Sequence, residues 1–241
     1  MKIILPILIA LILVSCKKKQ FESAITAGDS DAVPDVGYNF LLSGSYTNPK
    51  TYQLDLNHDG VNDVEFFNGS ALVVSMGVMP EISIKTLHQN MEMNVDIRKD
   101  SIFQAYFYHW QYAPGGTRAF FHVNVTSCMK ESAQYVPVDV KTTNYLIPME
   151  EGDVLSNNDD FAQGTFHLAT AEQHETETEF FPDSTVYHIN QIRKSCFEFP
   201  ENSIRYLGFR ITDDDGQKMG WIEVEYLGGN QLRIRDWAIQ Q

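Results

Sequence analysis

The chain is 241 residues long, and 32 acidic against 18 basic side chains leave a formal charge of −14 with 43% hydrophobic residues. That length suffices for one domain, or two small ones, with a real core. The acidic surface repels phosphate backbones and sets nucleic acid aside as a partner; it repels anionic head groups too, and suits divalent cations.

The chain opens MKIILPILIALILVSC. One Lys precedes an apolar run over residues 3–14. A bilayer span takes about 20 residues, so the run is too short to cross and has instead the length of a secretory signal core. It leads through Ser15 into Cys16. Leu13, Val14, Ser15 and Cys16 resemble the lipobox of bacterial lipoproteins. The resemblance implies a diacylglycerol on the Cys16 thiol, cleavage before that residue and acylation of the freed amine. Residues 1–15 are then a lipoprotein signal peptide, and the protein is held at the outer membrane of the cell envelope by its lipid. Several acyl chains anchor stably where one binds only marginally. Residues 16–37 continue KKKQFESAITAGDSDAVPDVG after the Cys, polar, Gly/Pro-punctuated and without periodicity, which predicts a tether. Surface-exported Bacteroidota lipoproteins carry acidic residues after the Cys. Three lysines stand there in this chain, so both a periplasmic and a surface-facing location stay open.

From residue 38 to 241 the pattern predicts one β domain. Short runs rich in Val, Ile, Phe, Tyr and Thr, such as YQLDL, EISIKTL, AFFHVNVT and IRYLGFRIT, recur between turn signals. In GWIEVEYLG, Ile222, Val224 and Tyr226 fall on one face and Trp221, Glu223 and Glu225 on the other, the period of a half-buried strand. So many short strands are buried most simply in a β-sandwich or a jelly-roll-like double antiparallel sheet.

Between two such runs, YQLDLNHDGVNDVEFF places Asp55, Asn57, Asp59, Gly60 and Asp63 in the pattern D-x-N-x-D-G-x-x-D. Hard cations such as Ca²⁺ collect six to eight oxygens. Side chains at alternate positions converge when the chain curls around the ion, Gly60 permits the sharp turn, the Val61 carbonyl supplies a further oxygen and Asp63 closes the set. The pattern resembles an EF-hand loop only in part, since Phe66 stands where the bidentate Glu would be and no helices flank it. It is closer to the strand-flanked DxDxDG loops of integrin-type propeller blades and of many exported bacterial proteins. The other reading of the same residues is a polar hairpin turn. Together with YLGFRI and the closing GWIEVEYL…LRIRDWAIQQ, this loop also resembles a group of uncharacterised exported Bacteroidota proteins. That resemblance implies the fold and a structural Ca²⁺, and carries no activity.

Further along, YFYHWQY puts Tyr106, Tyr108, Trp110 and Tyr112 on one strand face, a row that stacks on sugar rings or, more commonly, fills a core. Cys128 and Cys196 permit one intrachain disulfide in an oxidising compartment, or stand as two buried thiols. Glu150, Glu151 and Asp153 in PMEEGD are the nearest thing to a carboxylate pair for glycoside cleavage, although acidic turns are far commoner. His167 and His174 lack a metal-ligand spacing. Asp100-Ser101-Ile102 and Asp183-Ser184-Thr185 resemble short Bacteroidota O-glycosylation sites. The reading these features favour is a non-enzymatic, lipid-anchored, calcium-stabilised β domain with a structural role or a glycan or protein ligand. The alternative is a glycan-active hydrolase with carboxylates in a groove.

Overall fold

The computed structural model describes residues 24–29, 39–73, 77–111, 118–127, 139–170, 172–193, 199–214 and 216–240. These form strands and turns with no helix among them, in antiparallel sheets packed on one another. The all-β sandwich expected from the alternating runs is the fold observed.

In chain order the strands are β1 (Ala24–Thr26), β2 (Phe40–Ser43), β3 (Lys50–Leu54), β4 (Val64–Val73), β5 (Gly77–Thr86), β6 (Met91–Gln111), β7 (Arg118–Ser127), β8 (Asp139–Leu146) and β9 (Pro148–Met149). There follow β10 (Val154–Ser156), β11 (Phe161–Ala162), β12 (Thr165–Thr170), β13 (Glu172–Phe180), β14 (Ser184–Arg193), β15 (Ser203–Asp213), β16 (Gly216–Gly228) and β17 (Gln231–Ile239). One layer is a 4-stranded sheet in the order β12-β5-β4-β3. The facing layer is an 11-stranded sheet whose main path runs β13-β14-β7-β6-β15-β16-β17-β2.

The core between them follows from period two. Phe66, Ile82 and Ile84 of the smaller sheet meet Met93, Phe209, Ile222 and Ile234 of the larger in one cluster. Ile222, Val224 and Tyr226 face this core, as their alternation predicts. The opposite face of β16 is not left to water. The 2-stranded sheet β1-β10 lies over it, and Ile25, Ala27 and Leu155 pack on Trp221, Met219 and Ala238. Trp221 is only 4% exposed. Residues 24–29 thus fall within the span read as tether, yet contribute a strand and two core side chains. The AITA stretch is too short to display a period, and only its partner Val154–Ser156 makes it a strand.

Two irregularities shape the large sheet. Along β17 the register with β16 slips between Glu223/Asp236 and Val224/Ile234, which leaves Arg235 as the extra residue of a bulge. The slip reverses the face: Leu232 and Ile234 point into the main core before it, and Trp237 does so after it. The second is the length of β6, 21 residues. Its start, Met91 to Asn94, pairs with β15 and β11, its middle with β8 and its last part with β7. The sequence runs NVDIRK and IFQAYFYHWQY belong to this one strand, which leaves the sandwich and founds an extension β6-β7-β14-β13, in which β14 runs parallel to β7.

Candidate metal centre

The loop 55–63 joins β3 to β4, whose register closes on Leu54 opposite Val64. Asp63 N–H donates to the Leu54 carbonyl at 2.8 Å, so the strands are already paired where the loop begins and ends. Within it, backbone N–H groups point at the acidic side chains. Asp55 Oδ1 accepts from Asp59 N–H at 3.2 Å, and Asp55 Oδ2 from Gly60 N–H at 2.8 Å. Asn57 Oδ1 accepts from Asp59 N–H at 3.1 Å, and Asp59 Oδ1 from Val61 N–H at 2.8 Å. Two residues sustain the curl in left-handed backbone, His58 at φ 60° and Gly60 at φ 88°. An ionised carboxylate has about four acceptor sites, so these bonds orient the side chains without exhausting them.

Asp63 plays a different part. It is 2% exposed, and its Oδ2 accepts from the N–H of Leu56, itself a core residue, at 2.7 Å. Its carbonyl accepts from Leu87 N–H at 2.8 Å, which ties the loop to the turn between β5 and β6. Burial pushes the Asp63 carboxyl above its ordinary value, the Leu56 N–H pulls it back, and the charges of Asp59 and Asp55 push it up again. His88 Nε2 meets the Asn62 carbonyl from the same turn, and His58 lies 6.4 Å, ring to ring, from Trp237. The loop is therefore seated on the core through Leu56 and Asp63.

Asp55, Asn57 and Asp59 come together at the curl. Asp63 approaches them closely enough to feel their charge, but is committed to Leu56. The Val61 side chain is exposed, and its N–H is spent on Asp59. Among the described residues no three His, Cys, Asp or Glu side chains converge at metal-holding distance. The donors present are all oxygen, the chemistry of Ca²⁺ or Mg²⁺ and not of zinc.

The other candidates disperse. Asp153 Oδ2 accepts Glu150 N–H at 2.7 Å and so shapes its own turn, and Glu150 pairs with Arg205 at 3.2 Å. His167 lies partly buried on β12, where burial pulls its pKa down, and His174 is on the separate strand β13. Tyr106, Tyr108 and Trp110 stand opposite Val123, Phe121 and Ala119 of β7. Val123 and Ala119 are buried. Asp100 and Ser101, which resemble an O-glycosylation site in sequence, lie in mid-strand, where Asp100 is buried and accepts from Tyr145 O–H at 2.5 Å. Asp183-Ser184 does sit at a hairpin tip, where Phe181 N–H donates to the Ser184 carbonyl at 2.8 Å. Cys16, Cys128, Cys196 and Tyr112 lie outside the described residues.

Sequence reasoning missed a polar row on the outer face of the large sheet. Tyr206, Glu223 and Asp236 are direct neighbours across β15, β16 and β17. The bulge brings Arg235 onto Glu223 at 2.8 Å. Burial raises the Glu223 carboxyl, Arg235 lowers it, and the charges of Asp236 and Glu151 raise it again. Nothing local signals this row, because its members come from three strands and only their register, with the bulge at Arg235, brings them together. Compared with protein-family models, with curated proteins and with solved structures, the chain matches none.

Proposed function

We propose that the protein is a lipid-anchored envelope component without enzymatic activity, whose β-sandwich is braced by Ca²⁺ in the loop 55–63. One observation carries the cation reading: backbone N–H groups hold Asp55, Asn57 and Asp59 around a left-handed turn while the Asp63 carboxyl beneath them is pushed up, first by burial and then by the charges of Asp59 and Asp55. A divalent cation is the natural relief for that repulsion. Asp55, Asn57 and Asp59 would supply side-chain oxygens, the Val61 carbonyl a backbone oxygen, and Asp63 the closing carboxylate through Oδ1. The ion would brace a loop seated on the core, a structural role. Lipidation at Cys16 rests on the LVSC stretch and the apolar run before it.

The test is thermal unfolding of the protein titrated with Ca²⁺ and, in parallel, Mg²⁺. A ligand that binds only the native state stabilises it by RT ln(1 + [L]/Kd). A rise specific to Ca²⁺ and lost in Asp55→Ala and Asp59→Ala is expected. No shift at several millimolar would leave the loop as a polar turn. Lipidation is read separately, by the mass of the mature N-terminus and its loss in Cys16→Ala.

A further inference from the structure

β1 enters the fold at one rim of the sandwich. The Ala24 carbonyl accepts from Gln240 Nε2 at 3.0 Å, and Gln240 N–H donates to the Met219 carbonyl at 2.9 Å. Ala24 therefore stands level with Met219, just inside the hairpin at which Asp213 meets Gly216. Past the other end of β1, a Cβ on Gly28 would lie 3.0 Å from Tyr206 Oη, and Tyr206 is the partner of Glu223, further along β16. β1 thus runs from the hairpin rim toward the middle of the sheet, and its N-terminal end points out of the rim. The loop 55–63 belongs to the same rim. Thr212 N–H donates to the Asn90 carbonyl at 2.9 Å, His88 of that turn meets the Asn62 carbonyl, and Leu87 N–H reaches the Asp63 carbonyl at 2.8 Å. β6 starts here, with Met91 opposite Ile211, and leads away. Its last residue, Gln111, stands opposite Arg118, and Arg118 opposite Ser184, so the turn after Phe180 lies at the far end of the extension. With 21 residues β6 has a contour of about 65 Å, against about 30 Å for the 10 residues of β4.

We propose that this rim faces the lipid bilayer while the extension stands away from it, so that the loop 55–63 lies at the head-group layer. The inference rests on the lipid anchor at Cys16. Ala24 follows Cys16 by eight positions, a span of at most about 28 Å when fully extended. That reach brings the rim to the head groups. The rim suits a polar layer, since its exposed side chains include Asp59, Asn62, Gln89, Asn90, Gln163 and Asp214. The exposed aromatic side chains Phe180 and Phe181 are at the far end instead, and insertion of that tip would lay the molecule flat. A formal charge of −14 opposes this, because acidic surface along the whole length would then meet anionic head groups. Standing on one rim brings the least of that surface near the lipid, and Lys17, Lys18 and Lys19 supply basic charge beside the anchor. Anionic head groups also concentrate divalent cations, which places the loop 55–63 where its ion is most available.

The experiment is energy transfer to the bilayer from the full-length lipidated chain, reconstituted in vesicles of phosphatidylethanolamine and phosphatidylglycerol that carry an acceptor-labelled lipid. A donor dye is attached through an azide-bearing phenylalanine analogue in place of Gln89 at the rim or of Phe181 at the tip, both exposed, which leaves the native cysteines untouched. Asp214 and Phe180 serve as a second pair. Flotation with the vesicles, lost in Cys16→Ala, shows first that the chain is anchored. The rim donor should then transfer at least about threefold more than the tip donor, given the contour of β6 between them. Equal transfer from rim and tip, or more from the tip, in floating protein would overturn the orientation and leave the anchor standing. A chain that does not float overturns the anchor, and the orientation with it.

Discussion

Asp63 offers the sharpest test of how the loop is built. Replacing it with Ala strips the acceptor from Leu56 N–H, a bond of 2.7 Å in a region where Asp63 is almost fully buried and Leu56 is part of the core. A buried donor left unpaired costs about 1–3 kcal/mol. Against this stands the relief of a buried carboxyl whose pKa is raised by burial and by Asp59 and Asp55. Asp63→Asn separates the two effects, since its amide oxygen can still take the Leu56 N–H while the charge is gone. The Ala variant should lose roughly 2 kcal/mol, which at this chain length lowers Tm by about 4–8 °C. The Asn variant should fall within about 1 kcal/mol of wild type in the absence of added cation. The pH dependence has a definite sign. The native state holds the Asp63 proton more tightly than the unfolded chain does. Its contribution is therefore complete below the unfolded carboxyl value, near pH 4, and is lost as pH rises through the raised folded value. The stability of Asp63→Asn relative to wild type should then improve from pH 4 to pH 7. Thermal melts followed by circular dichroism, with chelator and with Ca²⁺, read all of this. An Asn variant as unstable as the Ala variant, or a relative stability that falls with rising pH, would refute the account of Asp63 as a buried acceptor under charge strain.

Three other outcomes follow from the packing. Asn68 is buried and spends its amide on the Leu42 and Asn230 carbonyls, at 2.9 and 3.1 Å, and on Gly44 N–H at 3.1 Å; Asn68→Ala should cost roughly 2–3 kcal/mol in urea unfolding. A Cβ at Gly220 would run into the Phe209 ring and the Ala238 carbonyl oxygen, whereas one at Gly60 would meet nothing within 4 Å. Gly220→Ala should therefore cost about 3 kcal/mol by overpacking, and Gly60→Ala only about 1–2 kcal/mol for its left-handed backbone. Glu223 has a raised folded pKa, chiefly through burial, so its contribution is full below about pH 4 and lost as pH rises through the folded value. Urea midpoints of Glu223→Gln should gain on wild type between pH 4 and pH 7, and parallel curves would refute the assignment.

Much of the local structure was written in short-range pattern. The alternation in GWIEVEYLG assigned Ile222, Val224 and Tyr226 to one face, and they meet the main core. The D-x-N-x-D-G-x-x-D spacing marked a curled loop between strands, and Gly60 does take the positive φ that the curl demands. Both are consequences of residue type and neighbours a few positions away, which a chain carries before it folds. What those patterns left undecided was which strands would be neighbours. Trp221 is buried because residues from the supposed tether lie over it as β1. The continuous β6, the parallel pairing of β14 with β7, and the meeting of Tyr206, Glu223, Arg235 and Asp236 all depend on partners distant in sequence. A period of two assigns the side chains of each strand to two faces but says nothing of what covers either. Register, the bulge at Arg235 and the stacking of three sheets settle that, because only they bring distant side chains within contact distance.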